Sequence, residues 1–205
     1  GKEIKGLAQV SKQGFVYVLD RVTGEPVWPI EERPVPASNI PGERASATQP
    51  FPTRPAAFEI QGVNEEDLID FTPEIAAAAR ELAEEFVLGP IFTPPIVRGS
   101  NGKRSTFVVP GAGGGANFPG ATVDPETGII YIPSATRPHG MSLVPPPDET
   151  SDWPYVIQMD RQVGPFGLPL LKPPYRRITA IDLNTGEHVW QIPFGRGPSN
   201  HPMLE

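Results

Sequence analysis

Lys12 stands in the stretch SKQGFVYVLDRVTGEPVW, residues 11–28, one step after a serine and shortly before an aromatic, β-branched run. A lysine in such a turn is ordinarily a solvated charge. Held in place, it is a cation that can stabilise negative charge developing on a neighbouring group. A second candidate is GAGGGANFPG, residues 111–120. Its glycine content suggests a phosphate-cradling loop, but such a loop must open a helix, and here Pro119-Gly120 and the β-type ATVDPETGIIYIP follow. The glycines instead let backbone approach something flat or crowded, with Asn117 the first polar side chain after the turn. On its own Asn117 reads as a turn residue. His139, His188 and His201 have no partner at metal-ligand spacing, and His188, two residues before Trp190, reads as an exposed strand position. Cysteine is absent, which removes thiolate chemistry and Cys-based zinc sites. Carboxylates are plentiful, but no acid/base pair follows from their spacing.

The elements that must carry these residues are read from a repeated phrase. VLDRVTGEPVW (18–28), TVDPETGIIYI (122–132) and AIDLNTGEHVW (180–190) each place apolar residues before an Asp, then Thr and Gly three and four positions on, then a second β-rich run. The pattern is a hairpin: Asp20, Asp124 and Asp182 bond their own turns, the glycine takes a positive φ, and β-branched and aromatic residues flank it. Gly24 and Gly128 lie 104 positions apart, and Gly128 and Gly186 lie 58 apart. The longer interval fits two units of about 52, close to the roughly 40–50 residues of a propeller blade. About three to four blades are therefore expected. Such blades need neighbours to cover both faces, and the opening GKEIKGLAQVSK reads as the middle of a domain, so the chain is expected to be a segment of a larger propeller.

Two long insertions, about 29–90 and 133–177, interrupt the blades and are rich in proline and glycine. Residues 29–58 should run extended over the surface. FTPEIAAAARELAEEFVLGP predicts one helix over about 73–88, with Thr72 as N-cap, Pro73 in the first turn and Gly89-Pro90 as its stop. Ile75, Ala79, Leu82 and Phe86 would form its apolar face. Net charge is −7 with no basic stripe, which argues against nucleic acid as a partner. No apolar run is long enough to span a membrane.

The Asp-x-x-Thr-Gly-x-x-x-Trp phrase resembles the tryptophan-docking repeat of the quinoprotein dehydrogenases, eight-bladed propellers that carry pyrroloquinoline quinone (PQQ). The ordered series KQGFVYVLDRVTGEPVWPIEERPVP, TQPFPTRP, GPIFTPP and VDPETG is similar to their glucose and polyol dehydrogenase branch. The likeness runs from Lys12 to HPML near the end of the chain. It implies an all-β fold, a partial propeller of W-type blades, with residues 1–205 a segment of one PQQ-binding domain. It implies that Lys12 reaches the ortho-quinone oxygens of PQQ, a position that is arginine in alcohol-oxidising relatives and lysine in the sugar-oxidising branch. Asn117 matches an asparagine that contacts the cofactor in many relatives, and Phe118 stands where relatives place a tryptophan bordering it.

By the same resemblance the general base is an aspartate and a Ca²⁺ or Mg²⁺ ion is held by carboxylate and amide side chains. All of these match positions before Lys12 and are expected outside residues 1–205. The implied activity is oxidation of a sugar or polyol hydroxyl, with electrons passed to ubiquinone or a cytochrome c. The implied location is the periplasm, with a membrane anchor possible in a part preceding residue 1. Residues 1–205 alone are expected to be inactive. The alternative is a non-catalytic propeller scaffold similar to outer-membrane assembly lipoproteins, which would require neither Lys12 nor the long insertions.

Overall fold

The computed structural model describes residues 3–118, 120–147, 151–161 and 164–204. In chain order its strands begin with β1 (Gly6–Val10), β2 (Val16–Asp20), β3 (Ile30–Pro34), β4 (Thr48–Pro52) and β5 (Gly62–Val63). After helix α1 (Pro73–Ala83) come β6 (Phe86–Val87), β7 (Gly89–Pro90), β8 (Ile96–Val97) and β9 (Ser105–Val108). The remaining strands are β10 (Thr122–Asp124), β11 (Ile129–Ala135), β12 (His139–Val144), β13 (Val156–Arg161), β14 (Arg176–Asp182) and β15 (Glu187–Pro193). Three groupings matter: the β1–β2 hairpin, the antiparallel four-stranded sheet β10-β11-β14-β15, and a mixed sheet β13-β12-β9-β6 with β8 added to β12.

The three repeated phrases do make the turns their residues specify. Asp20, Asp124 and Asp182 each accept a backbone N–H two residues on, at 2.9, 3.0 and 2.7 Å. Gly24, Gly128 and Gly186 close them at φ of 80°, 74° and 74°, values that favour glycine. The hydroxyl of Thr127, followed by the Glu126 N–H, holds the Asp124 carboxyl below the usual carboxylate range. For Asp182 the Asn184 N–H is the larger cause of the same shift.

Their assignment to blades differs from the expectation drawn from spacing. The second phrase is the β10–β11 turn and the third is the β14–β15 turn, and β11 pairs directly with β14. Both phrases therefore belong to one sheet, and the 58-residue interval is an insertion inside that sheet. The insertion, residues 136–175, supplies β12 and β13 to the mixed sheet. Any hairpin with this turn chemistry carries the phrase, so its period counts hairpins and not blades. The first phrase has a reduced second strand, a single bridge between Leu19 and Pro26, because Pro26 has no N–H to extend the ladder.

Tryptophan docking is present at one copy. The Trp28 indole lies so close to Gly186 that a Cβ there would fall 3.0 Å from its ring, so the first hairpin packs on the turn of the four-stranded sheet. Trp190, the equivalent residue, is 39% exposed and tilts against Tyr131 with ring centroids 5.8 Å apart. Between hairpin and sheet sits a core of Val10, Val16, Val18, Phe58, Ile130, Ile132 and Ile181. Each such side chain contributes about 1.5–3 kcal/mol on burial.

Phe58 corrects a second expectation. Residues 30–34 and 48–52 do run extended, as the solvent-exposed β3 and its partner β4 joined by a turn near Ile40, but the chain then turns inward. Residues 54–61 wedge between the β1–β2 hairpin and the four-stranded sheet, tied by Arg54 to the Thr185 carbonyl, by His188 to the Ala56 carbonyl and by Gln191 to the Phe58 carbonyl. The helix also ends earlier than predicted. Thr72 caps it by accepting the Ile75 N–H, and Pro73 opens it, but it stops at Ala83. Phe86 and Val87 leave it to pair in parallel with Ser105 and Thr106, which buries Phe86 in a strand; Ile75, Ala79 and Ala83 are the buried helical positions.

Candidate functional site

The Lys12 turn is fastened on three sides. Its own fold is a tight return in which Ser11 exchanges backbone bonds with Gly14 and Phe15, and Gly14 reaches φ of 84°. Residues 58–61 pin it from one side: the Phe58 N–H donates to the Gly14 carbonyl at 2.9 Å, and Gln61 donates to the Gln13 carbonyl at 2.8 Å. The glycine loop 111–117 pins it from the other, because the Gly115 N–H donates to the Lys12 carbonyl at 2.9 Å. A Cβ on Gly114 would come within 2.6 Å of the Lys12 backbone, so this glycine is needed for the approach. What the glycines let backbone approach is thus the lysine turn itself.

The side chains follow. The Lys12 ammonium is exposed and donates to the Ala112 carbonyl at 3.2 Å. The Asn117 amide donates to the next carbonyl, Gly113, at 3.1 Å. The loop therefore holds both sequence-derived candidates on consecutive carbonyls, Ala112 and Gly113. Phe118, beside them, is 98% exposed. An ammonium has three donors, so Lys12 keeps two for a ligand oxygen after bonding Ala112. A hollow of about 200 Å³ flanks Lys12, walled by Gln13, Ile91, Phe92 and Val108–Gly111. Phe92 sits there at φ of 69°, an uncommon conformation for an aromatic residue and one that concentrates at working sites. A second hollow, about 420 Å³, opens on the Asn117 side and includes Arg137 and Arg176.

Under this surface lie residues that motif spacing does not reveal. Glu59 is fully buried and pairs with Arg177 at 3.3 Å, while Ser134 and Thr136 each donate to it at 2.7 Å. A signal is present in the sequence: Glu59 interrupts the apolar run AAFEI, and Arg177 falls on the same strand parity as Thr179 and Ile181, both buried. An arginine on an inward-facing register requires a buried partner. Among the described residues no group of three or more His, Asp or Glu side chains converges as a metal site. Of the histidines, His201 bonds the Phe166 carbonyl, and the Nδ1 of His139 is buried without a partner among the described residues.

Residues 1–205 match the family described as PQQ: glucose/ethanol/alcohol dehydrogenase, beta-propeller domain. The chain belongs to this family. It is 30% identical to the glycerol dehydrogenase large subunit of Gluconobacter thailandicus, over 98% of this chain and 30% of that protein. It is 27% identical to the quinate/shikimate dehydrogenase (quinone) of Acinetobacter baylyi, over 94% of this chain and 26% of that one. It is 28% identical to the quinoprotein glucose dehydrogenase of Escherichia coli, over 99% of this chain and 27% of that one. The chain thus spans less than a third of the curated relatives it matches. A solved europium-containing methanol dehydrogenase is 20% identical over 94% of this chain and 25% of its own, with a TM-score of 0.46. Membership makes the fold of this chain a partial propeller, with the β10-β11-β14-β15 sheet a four-stranded blade.

Proposed function

We propose that the chain is a segment of one propeller domain in a periplasmic PQQ-dependent dehydrogenase that oxidises a sugar or polyol hydroxyl and delivers electrons to a quinone or cytochrome. The observation that carries the reading is the exposed Lys12 ammonium, bonded to the Ala112 carbonyl of the glycine loop whose next carbonyl, Gly113, accepts from Asn117. The donor set fits the cofactor: an anionic, oxygen-rich quinone needs cationic and amide donors, and Lys12 and Asn117 offer both. When bound, PQQ would supply the two-electron acceptor. Lys12 would hold its quinone oxygens, and a pre-positioned cation there stabilises negative charge without reorganising as the charge grows. Asn117 would orient the ring through its amide, and Phe118 would cover one edge. Lys12 acts as an electrostatic residue and not as a base. The general base and a Ca²⁺ or Mg²⁺ ion belong to the same proposal and are assigned to parts of the protein outside residues 1–205.

The test is dye-linked oxidation of glucose and glycerol by the complete protein supplied with PQQ and Ca²⁺. Lys12→Ala should lower kcat by about 10²–10³-fold, the scale of removing one fixed charge-stabilising donor. Unchanged turnover in that variant would remove Lys12 from the mechanism.

A further inference from the structure

The buried Glu59–Arg177 pair has no place in the proposed chemistry, and its cost demands a reason. Burying an ion pair commonly stabilises a fold no better than a well-packed apolar pair would. Here 0% of the Glu59 side chain and 7% of the Arg177 side chain are exposed, and the Arg177 Nε has no hydrogen-bond partner among the described residues. The carboxylate itself is fully used. Its Oε1 accepts from Thr136 and from the Ile60 N–H at 3.0 Å, its Oε2 accepts from Ser134, and Arg177 stands against Oε1 as an ion pair. Thr136 in turn accepts from Arg177 at 2.9 Å.

What the carboxylate holds is the back of the Lys12 surface. A Cβ on Gly14 would lie 3.0 Å from the Glu59 Cβ, and one on Gly115 would lie 2.7 Å from its Cγ. Gly14 belongs to the Lys12 turn, and Gly115 donates to the Lys12 carbonyl. The Gly115 carbonyl accepts from Ala135, which lies between the two hydroxyl residues that bond Glu59. Four segments therefore meet on one side chain: the Lys12 turn, the glycine loop, the end of β11 and residues 58–61. An apolar residue of the same size could fill this space. Only the carboxylate, with three hydrogen bonds, from Ser134 on β11, from Thr136 and from the Ile60 N–H, and an ion pair to Arg177 on β14, fixes where the two loops rest.

We propose that Glu59, braced by Arg177, Ser134 and Thr136, is a positioning residue that sets the Lys12 turn against the glycine loop and so aims the ammonium. The proposal rests on the reading that Lys12 faces PQQ. Glu59 touches neither cofactor nor substrate; it acts through Gly14 and Gly115.

A double-mutant cycle in the complete protein tests it, comparing wild type, Glu59→Gln, Lys12→Ala and the combined variant. The readouts are equilibrium PQQ binding and, in the cofactor-free protein, hydrogen exchange of the Gly115 and Phe58 amides. Glu59→Gln should weaken PQQ about tenfold and raise exchange at both amides. In the Lys12→Ala background it should weaken PQQ no further, because the ammonium it aims is gone. Equal weakening in both backgrounds, or wild-type exchange and binding, overturns the proposal. Should Glu59→Gln not fold, Ser134→Ala enters the same cycle and is read by the same two criteria. If the wild-type protein binds no PQQ, the function reading fails, and amide exchange alone decides whether Glu59 holds the two loops.

Discussion

Glu59 and Asp160 are both carboxylates held by arginine, and they sit in opposite surroundings. Asp160, on β13, receives Arg98 at 2.9 Å and Arg104 at 3.2 Å, and Arg104 reaches on to Glu85 at 3.4 Å. Its guanidinium partners are 31% and 41% exposed, so water shares the load. Burial pushes the Asp160 carboxyl up, but the Arg98 hydrogen bond and the charges of Arg104 and Arg98 outweigh it and hold the pKa below the usual carboxylate range. Glu59 has one arginine, two hydroxyls and a backbone N–H, all within the protein. The outer cluster ties insertion segments together and tolerates solvent. The inner one aligns two loops and has no solvent to fall back on. Identical chemistry thus serves adhesion at one place and alignment at the other.

The comparison is broken most severely by Arg177→Met, which leaves Glu59 buried without its cation. It should cost about 3–5 kcal/mol in urea or guanidinium unfolding of the complete protein. Pairing it with Glu59→Leu should recover much of that stability without recovering PQQ affinity, which separates alignment from adhesion. Gly115→Ala comes next. Its φ is ordinary, so the loss of about 1–3 kcal/mol would report the collision with Glu59 alone, read from the thermal midpoint. Asp160→Asn should cost about 1 kcal/mol at pH 7, less than either, because its partners rehydrate. A depressed folded pKa contributes stability above the unfolded value of about 3.9 that is lost as pH falls through the lower folded value. Unfolding midpoints between pH 5 and pH 2 should therefore fall less steeply in Asp160→Asn than in wild type. Comparable is Gly24→Ala, where the space is open and only φ of 80° resists. A loss of about 1 kcal/mol there calibrates strain without collision.

Turn chemistry was the most legible part of the sequence, because an aspartate, a threonine and a glycine at fixed offsets act within five residues. Thr72 and Pro73 announced the helix start for the same reason. Its end was not legible, since Phe86 and Val87 are withdrawn by pairing with β9, a contact made 19 residues away. The assignment of phrases to blades is illegible on the same principle: a local phrase cannot say which hairpins share a sheet. In the candidate site, Lys12 and Asn117 were found through resemblance, and the structure adds that adjacent carbonyls of one loop hold them. Glu59 was overlooked because its neighbours Gly14, Gly115, Ser134 and Arg177 are scattered over more than 160 positions. No spacing rule joins them, although the parity of β11 and β14, which sets Ser134 opposite Arg177, could have.

The seat of Trp28 on Gly186 has a consequence for how such a molecule is assembled. One short phrase supplies a plug, the indole at its end, and a socket, the glycine turn at its middle. The copies at 18–28 and 180–190 carry both fittings, while the middle copy, ending on Ile132, keeps only the socket. Contacts of this head-to-tail kind leave a plug over at one end and a socket at the other until a ring closes. Trp190 is such a plug, lying on Tyr131, while among the described residues neither Gly24 nor Gly128 has an indole against it.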